Sequence, residues 1–193
     1  KYTLAIVHDI TEQKRTEREI QRFTRLLESV RAIQALFIQG ADNRAVFDAF
    51  LKTLVELTDS EYGFLDEVLW DDQGAMYKLS LALSDISWDE ASKHLYGELV
   101  NRNLEFRNLH NLAGYPAVEG ALTIANDISH DPRSGGIPKG HPLIRAFMGV
   151  PIYFGDKLVG VAGVANRPGG YDEEIARFLE PFFSTCSSII YAV

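Results

Sequence analysis

A chain of 193 residues with 46% hydrophobic and 24% charged content has the length and balance of one ordinary globular domain plus an appendage, which excludes disordered and fibrous classes. A formal charge of -8 argues against the concentrated basic face that nucleic-acid binding needs. The longest apolar runs, residues 150–154 and 159–165, are strand-length and fall far short of the ~20 residues of a membrane helix, so no direct membrane insertion of this segment is expected.

Residues 1–8 lack a secretory signal pattern, and because Lys1 opens directly into strand-like residues the start reads as a boundary within a longer polypeptide. The single cysteine, Cys186, cannot form an internal disulfide, so a reducing, cytoplasmic compartment is expected.

In chain order, residues 2–7 carry strand-type side chains, and Asp9 and Thr11 are suited to capping a helix start. Over residues 14–38 the charges are dense, and Ile20, Phe23, Leu27, Val30 and Phe37 recur at helical steps with Gln34 breaking the run. This spacing predicts a long helix with a coiled-coil-like seam and, through it, a homodimer. Lys14, Arg15, Arg18, Arg22 and Arg25 alternate with Glu12, Glu17 and Glu19, the pattern of a solvated mixed-charge helix.

Residues 39–43 stop that helix and begin a second over 45–57, with apolar positions Val46, Phe50, Leu54 and Leu57. Strands over 62–70 and 76–83 flank an Asp71-Asp72-Gln73-Gly74 turn, and a helix follows over 88–100. Residues 102–145, rich in Gly, Pro, Asn and His, are too long for a plain connector and predict a lid or binding wall. Strands over 146–154 and 157–165 around Gly155-Asp156 form the clearest hairpin. The run 166–170 then breaks the chain, Asp172 caps, and an amphipathic helix over 173–192, kinked at Pro181, closes it.

That order implies an α+β fold: an antiparallel sheet with helices 24–38, 45–58 and 173–191 on one face and the loop-rich region on the other. Gly160 and Gly163 remove side chains where a helix is expected to pack closely on the sheet.

The segment Ala5-Ile-Val-His-Asp-Ile-Thr-Glu-Gln-Lys-Arg resembles the closing strand of a PAS domain with the Asp-Ile-Thr junction that leads into a signalling helix. Phe147-Met-Gly-Val-Pro-Ile, Leu158-Val-Gly-Val-Ala-Gly-Val-Ala-Asn-Arg, Tyr171 and the helix start at Glu173 resemble a GAF domain. The resemblances imply a PAS end over 1–13, a linker helix over 14–38 whose second half is also the first GAF helix, and a GAF domain over 24–193. They imply a piece of a bacterial-type sensor histidine kinase or diguanylate cyclase. In that setting the domain binds an unidentified small molecule and relays the change through its flanking helices to a covalently linked kinase or cyclase output domain. The alternative is a ligand-free dimerisation and relay module.

Residues 126–133 with His141-Pro142 resemble a loop common in GAF domains, whose pocket lies between such a loop and the sheet. The candidate lining residues are therefore Phe64, Asp66, Trp88, Asn126, Asp127, His141 and Phe147. Asn166-Arg167 with Tyr171, Asp172 and Glu173 resembles a collapsed Asn-Lys…Phe…Asp-Glu motif of cyclic-nucleotide-binding GAF domains. The residues themselves read as local order, Asn166 holding the turn and Arg167 neutralising the acidic helix start at Asp172 or Glu173.

Rival chemistries find little support in the residues. His130, Asp131 and His141 match no closed metal-site spacing. Cys186 sits in an apolar-rich closing helix as a small core residue, against bilin attachment and against the cysteine-dependent free-methionine-sulfoxide reductases that share this family. No phosphate loop, Ser-centred elbow or His-Glu-x-x-His run occurs, so the expectation is a sensor without catalysis, its cofactors unspecified.

Overall fold

The computed structural model describes residues 11–85, 90–101, 104–135 and 140–193. The strand expected over 2–7 lies outside the described residues, as does Trp88.

Strands β1 (Tyr62–Trp70), β2 (Met76–Leu83), β3 (Glu105–Phe106), β4 (Thr123–Ala125), β5 (Phe147–Phe154) and β6 (Lys157–Ala165) form one sheet. They lie in the order β3-β2-β1-β6-β5-β4, each pair antiparallel. The β5–β6 hairpin is the one its turn residues predict, with Gly155 at φ 59 supplying the left-handed turn position. β4 pairs only with Phe147 to Gly149 of β5. Two residues beyond Gly149 stands Pro151, which has no amide to offer a longer β4 and thereby ends the ladder.

The helices are α1 (Thr11–Ile38), α2 (Asn43–Leu57), α3 (Glu90–Asn101), α4 (Tyr115–Glu119), α5 (Glu173–Phe178) and α6 (Glu180–Ala192). α2 packs on β1 and β2, α6 on β5 and β6, and α1 lies across α2 and α6. This layer holds the main core, where Leu26 and Ile33 of α1 meet Phe47, Phe50 and Leu54 of α2 and Phe182 and Ile189 of α6 over Leu65, Met148, Ile152 and Val164. Phe50 and Phe182 meet edge-to-face at 5.2 Å, so truncating either to alanine costs about 3–5 kcal/mol. The short α4 sits on the opposite face, against β5 and β6.

Three features differ from the sequence expectation. The closing helix is two helices, broken at the fully buried Leu179, with Pro181 in the first turn of α6 where no amide is needed. The loop-rich stretch contains β3, α4, β4 and a 3-10 turn at Ile128–His130, elements too short to show a period. The seam drawn along α1 divides between two faces: Val30 is 8% exposed and Phe37 half-buried against the core, whereas Ile20, Phe23 and Leu27 stand 61%, 46% and 43% exposed. Leu26 and Ile33, outside that seam, are the fully buried residues of the helix, so its inward stripe follows 26-30-33-37.

Candidate functional site

Strand parity places the candidates first. Phe64, Asp66 and Val68 of β1 point away from α2 and α6, as do Phe147 and Gly149 of β5 and Val161 and Gly163 of β6. Across the sheet Gly149 faces Gly163, and Gly163 is flanked on its other side by Phe64. A Cβ on Gly163 would run into both the Phe64 and Phe147 rings, which lie near-parallel with centroids 6.3 Å apart. Two glycines thus make a floor, and two phenylalanine rings lie on it. Gly160, by contrast, faces the helices, where a Cβ would press on Ile190. Close helix packing therefore accounts for Gly160, and the aromatic floor for Gly163.

Leu112, Ala125, Ile128 and Ile144 close over Phe147 and Phe64, so at this point the described residues fill the space between loop and sheet with apolar side chains. Beside them lies a charged pair that no sequence pattern announced. Lys78 Nζ stands 2.7 Å from Asp66 Oδ2, with side chains only 4% and 2% exposed. The ammonium also donates to the carbonyl of Ala113 at 3.0 Å and faces the rings of Phe64 at 4.5 Å and Phe106 at 5.5 Å. The ammonium is therefore well surrounded. Asp66 is less so, because its Oδ1 is buried with no hydrogen-bond partner.

The loop candidates are already engaged elsewhere. The Asn126 side chain reads the backbone of Tyr171 twice, Nδ2 donating to its carbonyl at 2.9 Å and Oδ1 accepting from its amide at 2.8 Å. Gly170, at φ 80, packs against that amide group so closely that a Cβ would collide with it. Asp127 accepts from Ser129 at 2.6 Å and meets His130 Nδ1 at 2.7 Å, and these two partners, Ser129 first, hold its carboxyl below the ordinary value. His141 lies with Nδ1 3.0 Å from the Pro142 carbonyl. The fold therefore brings Phe64, Asp66 and Phe147 onto one face of the sheet, while Asn126, Asp127 and His141 serve loop contacts at the surface.

Asn166, at φ 65, staples three segments. Its Oδ1 accepts from the Arg145 amide at 2.7 Å, and its Nδ2 donates to Glu61 Oε2 at 2.7 Å and to the Leu143 carbonyl at 2.9 Å. Arg167 corrects the sequence reading: its guanidinium meets neither Asp172 nor Glu173 but donates Nη1 to the carbonyls of Pro168 and Gly170. Asp172 caps α5 itself, accepting from the Ile175 amide at 2.9 Å. Cys186 is fully buried in α6, and burial pushes its thiol far up, away from the thiolate that nucleophilic chemistry needs. Among the described residues no three His, Cys, Asp or Glu side chains are placed to hold a metal ion, and no helix is long and apolar enough to cross a membrane.

Comparison with known proteins gives concordant results. A GAF domain family model matches residues 40–190. The methyl sulfide methyltransferase-associated sensor of Methanosarcina acetivorans is 26% identical over 190 residues, an alignment that takes in 93% of this chain and 17% of that protein. The chain thus spans about a sixth of the length of this relative. Among solved structures, the GAF domain of a phosphoenolpyruvate-protein phosphotransferase from Coxiella burnetii is similar with a TM-score of 0.67 at 17% identity, covering 88% of this chain and 95% of that one. Free methionine-R-sulfoxide reductase from Neisseria meningitidis, solved with its substrate, is similar with a TM-score of 0.61 at 14% identity, covering 86% and 89%. At these identities the structural likenesses establish the fold alone.

Proposed function

The chain belongs to the GAF domain family, and on that premise we propose that it is a regulatory sensor domain of a longer signal-transduction protein. In this reading it binds a small molecule on the loop-bearing face of its sheet and relays the change through α1 and α6 to a kinase or cyclase output domain. The observation that carries it is the layering of β5 and β6. Their one face bears the Gly149–Gly163 floor with Phe64 and Phe147, and their other face is where α6 packs, with α1 against α6 in turn. A group that displaced those rings would act on helices that lead out of the domain at both ends. The sensor relative from Methanosarcina acetivorans supports a sensory role, and the PAS-like start at 1–13 is consistent with a sensor array.

Catalysis is not part of the proposal. The likeness to a methionine sulfoxide reductase is one of fold, and the one cysteine of this chain is a packing residue inside α6.

A second reading, a ligand-free dimerisation and relay module, is favoured by two observations. Apolar side chains close over the Phe64–Phe147 pair, and Ile20, Phe23 and Leu27 form an exposed stripe on α1 that a second copy would cover. Native mass spectrometry separates the two readings: a co-purifying small molecule supports the sensor, and a ligand-free dimer that takes up nothing from a metabolite panel supports the relay.

A further inference from the structure

On the loop-bearing face, residues 108–118 form a unit bonded almost wholly to itself. Asn108 Oδ1 accepts from the His110 amide at 3.1 Å, and the Asn108 carbonyl accepts from Asn111 Nδ2 at 3.0 Å. Asn111 takes the Gly114 amide on both Oδ1 and its carbonyl, and the Tyr115 amide on that carbonyl. The Gly114 carbonyl takes the amides of Ala117 and Val118. Among the described residues a single hydrogen bond ties the unit to the rest of the molecule, from Lys78 Nζ to the Ala113 carbonyl at 3.0 Å. Its other contacts are packing: Leu112 on Phe147, the Pro116 ring over Gly149, Ala117 against Val68 and Val161, and Tyr115 facing the Arg133 guanidinium at 5.3 Å. Both ends are anchored. Arg107 reaches Asp71 at 3.1 Å beside β3, and the Gly120 carbonyl, at a left-handed bend of φ 61, accepts from the Tyr153 hydroxyl at 3.1 Å.

We propose, resting on the reading of this face as the ligand site, that residues 108–118 are a plug that lifts from the sheet as one body. The molecule that takes its place is small and uncharged, with a carbonyl-type acceptor for Lys78 and a compact apolar ring for the Gly149–Gly163 floor.

Lifting the unit breaks one hydrogen bond to the sheet and leaves the internal ones whole, so its cost is the apolar contact of Leu112, Pro116 and Ala117. What is uncovered then selects the occupant. Lys78 loses the Ala113 carbonyl, and an ammonium so little exposed needs that acceptor returned. The acceptor has to be neutral, because Asp66 at 2.7 Å already compensates Lys78 and a second charge of either sign would be buried without its own counter-ion. The Pro116 ring leaves a gap over Gly149 beside the Phe147 ring, a surface of apolar contact shaped for another small ring. The chain's own Ala113 carbonyl and Pro116 ring, three positions apart, thus stand in for the two groups of the ligand, a lactam or cyclic ketone in class.

The test uses the whole chain carrying Ala117→Cys, a small change at a side chain 2% exposed against Val68 and Val161, with the fully buried Cys186 as internal reference. Both thiols are alkylated with iodoacetamide and read by mass spectrometry of the digest. Lifting uncovers position 117 without opening the core, so the introduced thiol is expected to label at least tenfold faster than Cys186. Tens of millimolar 2-piperidone should raise that rate several-fold and saturably, with Cys186 and hydrogen exchange at the Gly114 amide unchanged. Cyclohexanecarboxylate and cyclohexylammonium, matched in ring and charged, should not raise it. Equal labelling of the two thiols overturns the proposal, as does a rate that 2-piperidone leaves unchanged or that a charged probe raises as much. Faster exchange at Gly114 with the lactam also overturns it, since the segment then melts instead of lifting. A small molecule that co-purifies with the domain while the lactam leaves labelling unchanged would keep the sensor reading and sink the plug. Labelling accelerated by the lactam, in a domain whose α1–α6 spacing does not respond, would uphold the plug and sink the relay.

Discussion

Lys78 and Asp66 exchange water for each other, one carbonyl and two aromatic faces, and each is stable there only because the other is present. Lys78→Met alone leaves a carboxylate buried without its counter-ion and is expected to cost about 3–5 kcal/mol in urea unfolding. The double change Asp66→Leu with Lys78→Met, which replaces the pair by apolar groups of similar size, should regain most of that loss. A double variant as unstable as the single one would show that the pair has no such mutual dependence. A second residue-scale effect concerns Asp131, whose carboxyl is lowered from 3.8, first by the Arg133 side chain, which reaches it at 2.6 and 2.9 Å. A lowered folded value means that the contribution of this pair is present above the unfolded value and lost as pH falls through the folded one. NMR titration should show Asp131 ionising below 3.8, and Arg133→Ala should move it up. In the sequence, Phe64, Asp66 and Phe147 were named through the family resemblance; strand parity, a local property, puts Phe64 and Asp66 on one face, but only the pairing of β1 and β5 with β6 brings Phe147 to that face. The partners of Asn126 and Asp66 were not legible, since Tyr171 and Lys78 are brought to them by pairings across 45 and 12 positions that no local pattern encodes.

At the scale of elements, α1 shows how one apolar repeat can serve two surfaces. Its inward positions Leu26, Val30 and Ile33 belong to the same core as Phe50 and Phe182, while Ile20, Phe23 and Leu27 lie beyond or beside that core. Val30→Asp is therefore expected to destabilise the domain by about 3 kcal/mol or more, because it buries a charge without a partner. Phe23→Ser, which removes an exposed ring whose contact is the edge of Phe178 at 6.4 Å, should leave unfolding within about 1 kcal/mol of the parent. If α1 pairs with a second copy, that variant also lowers self-association in sedimentation equilibrium; equal effects of the two variants on unfolding would contradict the two-surface assignment. The helix itself was legible from charge density and period, but the period alone could not say which stripe faces inward. That choice depends on where α2 and α6 come to rest. For the same reason β3, α4 and β4 were unreadable: elements of two, five and three residues are held by the sheet and core they join, not by their own propensities.

At the scale of the whole molecule, α1 and α6 are the elements through which a change on the sheet could leave the domain. They touch each other, α6 touches β5 and β6, and the rings of Phe64 and Phe147 lie on the opposite side of those strands at positions where Gly149 and Gly163 leave the sheet bare. A ligand that binds one arrangement of these layers better than another shifts the balance only by that difference in affinity, and about 1–3 kcal/mol is enough to change the populations several-fold or more. Nitroxides at Arg31→Cys on α1 and Ser188→Cys on α6, both solvent-exposed positions, can report the separation of the helices. Cys186 is fully buried and its thiol held protonated, so the label goes to the introduced sites. With a small molecule identified by native mass spectrometry, saturating ligand is expected to shift or narrow the α1–α6 distance distribution, and Phe147→Ala, which opens the floor, to alter that response. A distribution that stays the same at saturation, with binding independently established, would leave the domain able to hold a ligand but not to transmit it through these helices, and the relay would then have to run through the N-terminal stripe of α1 alone.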